Sequence, residues 1–418
     1  MLFTNLDTIE TAKAKLRGKL EEMGLRTESV NTTECFGRIL AQDIISDVDV
    51  PSFRRTAMDG YAVICAETEG ASEDNPVVLE MIGEVEMGKT PAFEIKPGTC
   101  AYVPTGGMFP KGADGLVIIE NTDRGGEIPD ISEGNVKIAM FSGALPGDNL
   151  VEPGEDMKKG ETILKSGRKL RQQDIGVLAA LGISEVEVYK SLSMTIISTG
   201  DELVGIHEVP EGGQVRDINS YTLMAMAQKY GIEVKSMHLL QDVDDILEEC
   251  VRNATNEADF VAISGGSSVG KKDATAPIIN KVASPGVFVH GIKLKPGRPT
   301  ILGTDDETRT LFVGVPGHPA SAIMSTEMIV IDTLRELMGC GKEPELQAVL
   351  AAPIKADKKR DTCITFHLID HGPGTQLKAE PLRKKSGAIT MLSQADAYVL
   401  LEAGQQMEEG ETVAVRML

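Results

Sequence analysis

Apolar positions recur at helical spacing from Leu6 to about Met23, with a charged opposite face and Asp7 or Thr8 placed to cap the start. That pattern predicts an N-terminal helix. From Phe53 to about Ile138 the texture changes: short β-rich runs such as VVLEMIG and GLVIIE alternate with Gly, Pro and Asp turns, predicting a small β-rich domain. The segment ALPGDNLVEPGEDMKKGETIL is rich in turn residues and predicts a return to the first domain. QQDIGVLAALG reads as a short helix with Gly182 just past its end.

From Ser193 onward the period switches between strand and helix. MTIISTGDEL, VKSMHLL, DFVAISGG, VFVHGI and LFVGV read as strands. NSYTLMAMAQKYG, VDDILEECVRNAT, DATAPIINKVA and the long ASAIMSTEMIVIDTLRELMG read as helices. This alternation predicts a mostly parallel sheet with crossover helices, whose ligands bind at the carboxyl ends of the strands. After GKEPE it stops, and AVLAAPIKA, TCITFHLI, AYVLLEAG and TVAVRML predict a C-terminal β domain. The fold class is therefore multidomain α/β, a central three-layer α/β domain with β-rich accessory domains.

Composition narrows the function. At 418 residues the chain exceeds one ordinary core, so two to four domains are expected. The net charge of -21 argues against nucleic acid or an acidic membrane as a partner, because both repel an anionic body. An anionic small ligand is still allowed, since it feels the pocket and not the total. The six cysteines lie far apart with no C-x-x-C pair, which suits buried reduced thiols. Neither a signal peptide nor a membrane-spanning run is readable, so a cytoplasmic protein is expected.

The chemistry-bearing residues sit in the loops. Ser264, Gly265, Gly266, Ser267, Ser268, Val269 and Gly270 follow a buried strand, and such a loop can turn N–H groups and hydroxyls toward an anion. It matches neither the dinucleotide fingerprint nor the Walker loop, and a tight turn needing small residues explains it equally well. Asp201, Glu202, Asp217, Asn219, Asp242 and Asp273 stand at strand-to-helix junctions of the same sheet. Each alone is more often a helix cap. Together with a phosphate they imply a hard cation, Mg2+, between them. Lys293, Lys295 and Arg298 in GIKLKPGRPT supply cations on a turn stiffened by Pro296 and Pro299, suited to an oxyanion or equally to solvent. VPGHPASA opens a helix with Pro316, Gly317 and Pro319, and His318 is not expected to be a catalyst. Far away, RRTAMDGYAV and VPTGG place Arg54, Arg55, Asp59 and Thr105 in short rigid loops.

RRTAMDGYAV, VPTGGMFPKGADGLVIIENT, PGED, STGDEL, the D-x-N of VRDINS, SGGSSVGKKD, KPGRP and VPGHPASA, in this order, resemble the molybdopterin molybdenumtransferases, molybdenum insertases related to the E domain of gephyrin. Any one motif is weak; the ordered set, running end to end, is specific. The resemblance implies four domains: 1–52 with 140–190, 53–139, a molybdopterin-binding 191–340, and 341–418. It implies a homodimer whose cleft joins one central domain to the partner's small β domain. Its activity is insertion of molybdate into adenylylated molybdopterin, with Mg2+ present and AMP released. Motif by motif it makes Asp59, Thr105, Glu202, Asp242, Asp273, Lys295 and Arg298 catalytic, with Glu202, Asp242 and Asp273 around the metal. Ser264, Gly265, Gly266, Ser267, Ser268, Gly270, Pro316, Gly317, Pro319 and Ser386 become binding positions, and Asp156 the acid of the G-E-D element. A molybdopterin adenylyltransferase and apo-molybdoenzymes are implied as protein partners.

The sequence also departs from the family. Leu150, Val151 and Glu152 stand where an arginine is usual, Lys271 and Lys272 precede Asp273, and His318 replaces an asparagine. These departures admit a tungstate-specific insertase or a non-catalytic molybdopterin carrier. A relative sharing only the pterin-binding fold would lack both RRTAMDGYAV and the terminal β domain.

Overall fold

The computed structural model describes residues 6–130, 135–265, 274–370, 372, 374–383 and 389–418. The chain forms two compact units: Met1–Gln42 with Ser166–Gln172 and Glu185–Leu418, and Asp43–Lys165 with Gln173–Ser184.

In the larger unit, helix α1 (Ile9–Met23) starts where Thr8 Oγ1 accepts the Thr11 N–H at 3.1 Å. Its buried residues, Ile9, Ala12, Leu16 and Leu20, repeat every three or four positions, so one stripe faces the core. It stops at Gly24, whose φ of +68° suits a residue without Cβ.

The smaller unit contains a five-stranded sheet. Its strands are β1 (Gly60–Val63), β2 (Val77–Glu84), β3 (Thr99–Val103), β4 (Gly115–Ile118) and β5 (Lys137–Met140), in the order β4-β1-β3-β2-β5. Tyr61, Val63, Cys100, Tyr102 and Val117 fill one core beside it. The predicted helix QQDIGVLAALG is present as Gln172–Ala180, and Gly182 follows it at φ +70°.

The central sheet belongs to the larger unit. Along the chain come β6 (Ser193–Thr199), α2 (Asn219–Lys229), β7 (Glu233–Leu240), α3 (Asp244–Ala254), β8 (Phe260–Ser264), α4 (Thr275–Val282), β9 (Pro285–His290), β10 (Ile301–Asp305), β11 (Thr310–Val315) and α5 (Pro319–Ser325). The sheet order is β7-β6-β8-β11-β10-β9. The first four of these run parallel, while β10 and β9 are antiparallel additions at one side. Every residue of β8 and of β11 is buried, as expected for strands covered on both faces.

The long helix predicted from Ala320 onward differs in detail. Helix α5 passes into a π-helical stretch, Thr326–Ile331, before α-helix resumes at Asp332–Leu337. Three hydroxyls compete for its carbonyls: Ser325 Oγ donates to Ser321 O at 2.8 Å, Thr326 Oγ1 to Ala322 O at 2.8 Å, and Thr333 Oγ1 to Ile329 O at 2.6 Å. Such back-bonding loosens a regular helical ladder. At the C-terminus, strands Glu345–Leu350, Asp361–Ile369, Lys378–Pro381, Ala397–Leu401 and Thr412–Met417 close into a barrel, because Asp361–Ile369 also pairs with Ala397–Leu401.

Candidate active site

Strand register decides which loops meet. Leu240 pairs with Thr199, Ser198 with Ser264, Ser264 with Val315, and Gly314 with Ile301, which in turn faces His290. The residues after Leu240, Thr199, Ser264 and Val315, and the connection from His290 to Ile301, therefore all emerge at one edge. This is the carboxyl edge of the parallel strands, where open α/β sheets bind ligands.

Acids occupy one flank of it. Thr199 Oγ1 donates to Asp242 Oδ1 at 2.7 Å, and the Asp242 N–H donates to Asp201 Oδ1 at 3.1 Å, linking the ends of β6 and β7. Asp201, Glu202 and Asp242 are exposed. Asp217 is different. It is buried, and its Oδ1 accepts from Ser198 Oγ at 3.1 Å and from the Ser220 N–H at 3.2 Å. That makes it a brace for the start of α2 and takes it out of the group of candidate ligands. Among the described residues no three His, Cys, Asp or Glu side chains gather to hold a metal ion. Asp273, the third expected ligand, lies outside the described residues, as do Gly266, Ser267, Ser268, Gly270, Lys271, Lys272 and Ser386.

Asn219, expected only as one of several polar residues at the strand-to-helix junctions, organises the middle of the edge. Its Nδ2 donates to Ser264 Oγ at 2.6 Å, to Pro316 O at 3.3 Å and to Gly317 O at 3.1 Å. Two of these partners are carbonyls, which cannot donate, so the amide orientation follows from chemistry. The signal available in sequence was the D-x-N pair itself: Asp217 braces the turn and Asn219 ties β8 to β11. Gly265, at φ +106°, crosses so close to β6 that a Cβ would lie 2.0 Å from Thr199 O.

The basic turn occupies the other flank. Ile292 N–H donates to Arg298 O at 2.9 Å, closing the turn, and Gly297 sits at φ +124°. Leu294–Lys295 pairs in parallel with Asp361–Thr362 of the C-terminal barrel. Lys295 Nζ lies 3.7 Å from Asp357 Oδ2, so this cation is partly neutralised. The Arg360 guanidinium, a hydrogen bond from the Lys359 N–H and the charge of Lys295 together hold the Asp357 carboxyl down at about 2. Acids and cations thus share one edge, but three to five strand spacings, about 14–24 Å, separate the strands that carry them.

In the smaller unit, Asp59 and Thr105 do come together. Asp59 Oδ1 accepts the Thr105 N–H at 2.7 Å, and Thr56 Oγ1 donates to Pro104 O at 2.7 Å, so RRTAMDG and VPTGG form one braced surface. Arg55–Thr56 pairs with Leu150–Val151, and Arg54 Nη2 lies 2.8 Å from Glu152 Oε1. No thiol is poised to react here or in the barrel: burial pushes Cys100 and Cys363 up to about 12.

Comparison with known proteins settles the family. Residues 7–182 match the MoeA N-terminal region (domain I and II), 195–336 a probable molybdopterin binding domain, and 347–418 the MoeA C-terminal region (domain IV). A molybdopterin molybdenumtransferase of Haemophilus influenzae is 30% identical over 413 residues, 98% of each chain. The chain belongs to the molybdopterin molybdenumtransferase family. A putative molybdopterin biosynthesis protein of Methanocaldococcus jannaschii is 29% identical across 100% of this chain and 99% of its own. The fold agrees with that of the molybdopterin biosynthesis MoeA protein of Pyrococcus horikoshii, at TM-score 0.80 and 30% identity, covering 99% of this chain and 100% of that one.

As a member of the molybdopterin molybdenumtransferase family, the protein is an enzyme of molybdenum cofactor biosynthesis. The departure at Val151 now has a structural context. Next to Val151, Glu152 forms a two-point ion pair with Arg54.

Proposed function

We propose that the protein inserts molybdate into adenylylated molybdopterin, with Mg2+ required and AMP released. One observation supports this beyond the family: a single sheet edge carries the exposed carboxylates of Asp201, Glu202 and Asp242 at one flank and the turn of Lys295 and Arg298 at the other. The donor set suits Mg2+, which takes one or two carboxylates and completes its shell with phosphate oxygens and water. Glu202 and Asp242, with Asp273, would hold it; there it would offset charge on the phosphoanhydride and polarise it.

The chain's own residues position the reactants. Lys295 and Arg298 take the oxyanion, drawing Lys295 away from Asp357. Ser264 and Gly265, with Gly266 to Gly270, cradle phosphate, while Pro316, Gly317 and Pro319 shape the neighbouring wall and Ser386 is a further binding position. Asp59 and Thr105 act from the partner subunit of a homodimer. Catalysis is electrostatic, and no covalent enzyme intermediate forms. The same reading makes the four-domain division, a cytoplasmic setting, supply by a molybdopterin adenylyltransferase and delivery to apo-molybdoenzymes parts of one proposal.

The test is AMP release from adenylylated molybdopterin, with molybdate and tungstate compared and with Mg2+ present or chelated. Release that needs both molybdate and Mg2+ is expected. Binding of the pterin without AMP release under either oxyanion would make the protein a carrier instead.

A further inference from the structure

The central sheet has a second opening at its other end, where β6, β8 and β11 begin. Phe260 pairs there with Met194 and with Leu311. A hollow opens between this amino edge, the end of α1 and the end of helix Asp332–Leu337. Its floor is core: Leu20, Phe260, Leu311 and Leu334 are at most 5% exposed. Its charged lining is Arg26, Lys190 and Arg309 against the one carboxylate of Asp259.

That carboxylate is already occupied. Arg26 pairs with one oxygen, and the other accepts Ser193 N–H and Oγ at 2.9 and 2.8 Å. Arg309 donates to the carbonyls of Met23 and Gly24 at the end of α1. The Lys190 ammonium makes no hydrogen bond or ion pair among the described residues, although its charge helps Arg38 hold the Glu28 carboxyl down. A surplus of positive charge thus collects at the mouth of an apolar hollow, in a chain whose net charge is -21.

The room inside is about 50 Å3, which at roughly 10–15 Å3 for each water position admits a short alkyl chain and no fused ring system. A pterin or a nucleotide base is too large. We propose that this hollow binds a small amphipathic anion, a carboxylate with a short alkyl tail, its head on Lys190 between the two guanidinium groups and its tail against Leu20, Phe260 and Leu334. The occupant is neither substrate nor product of the transferase reaction, and its site lies a strand length from the carboxyl edge.

Isothermal titration of the full-length protein with hexanoate, hexylammonium and acetate separates head from tail. Hexanoate should saturate one site with a Kd of about 1 mM, while hexylammonium, with the wrong charge, and acetate, with no tail, should give no saturable heat. Lys190→Glu, at an exposed side chain, should weaken hexanoate roughly tenfold or more with an unchanged melting temperature. Leu334→Phe, which fills the floor, should abolish binding. Equal binding of hexanoate and hexylammonium, wild-type affinity in Lys190→Glu, or no saturable binding at all would overturn the proposal.

Discussion

Asp59 has a structural bond that can be separated from its proposed role in the chemistry. Oδ1 accepts the Thr105 N–H and sets the VPTGG loop, although the residue itself is exposed. Asparagine keeps that acceptor and removes only the charge. Asp59→Asn should therefore retain the wild-type melting temperature, as exposed substitutions usually do, while AMP release falls roughly a hundredfold. Parallel loss of melting temperature and rate would reduce Asp59 to a brace. Asp357 offers a pH test. Its carboxyl is held down, mainly by Arg360, so its ion pairs contribute fully above its ordinary value of 3.8 and are lost as pH falls through about 2. Carboxyl titration followed by NMR should give a midpoint near 2 that climbs toward 3.8 in Arg360→Ala. A midpoint unchanged in the variant would remove Arg360 as the cause. At this scale some chemistry was legible early and some misled. Asp217 had a motif's company yet is a buried cap, because its neighbours Ser198 and Ser220 use its oxygen.

Elements were legible where their period was strong. The buried stripe of α1, five of the six strands of the central sheet and Gly182 beyond its helix follow from local spacing and backbone preference. The π stretch at Thr326–Ile331 was not, since it depends on which hydroxyl wins which carbonyl. Nor could period alone show that β9 and β10 run against their neighbours. Gly265 carries a prediction at this level. A methyl there meets Thr199 O at 2.0 Å on a backbone at φ +106°, at the junction of two central strands. Gly265→Ala should cost at least ~2 kcal/mol, read as a lower urea midpoint. A midpoint equal to wild type would mean that the end of β8 is free to shift.

Across the molecule, the amino-acid sequence alone determined the kinds and order of the elements, the central α/β domain flanked by β domains, and the family, because periodicity, caps and ordered motifs are written locally. It also named most of the residues that the carboxyl edge presents. Tertiary structure alone decided which of them are neighbours. Register brings Asn219 to Ser264 and Pro316, joins Asp242 to Thr199, and pairs Lys295 with Asp357 of the barrel. It also keeps the acids and the basic turn on opposite flanks and leaves a cation-rimmed hollow at the far end of the same strands. Strand order and burial arise from contacts between segments distant in sequence, and no local pattern of residues encodes those distances.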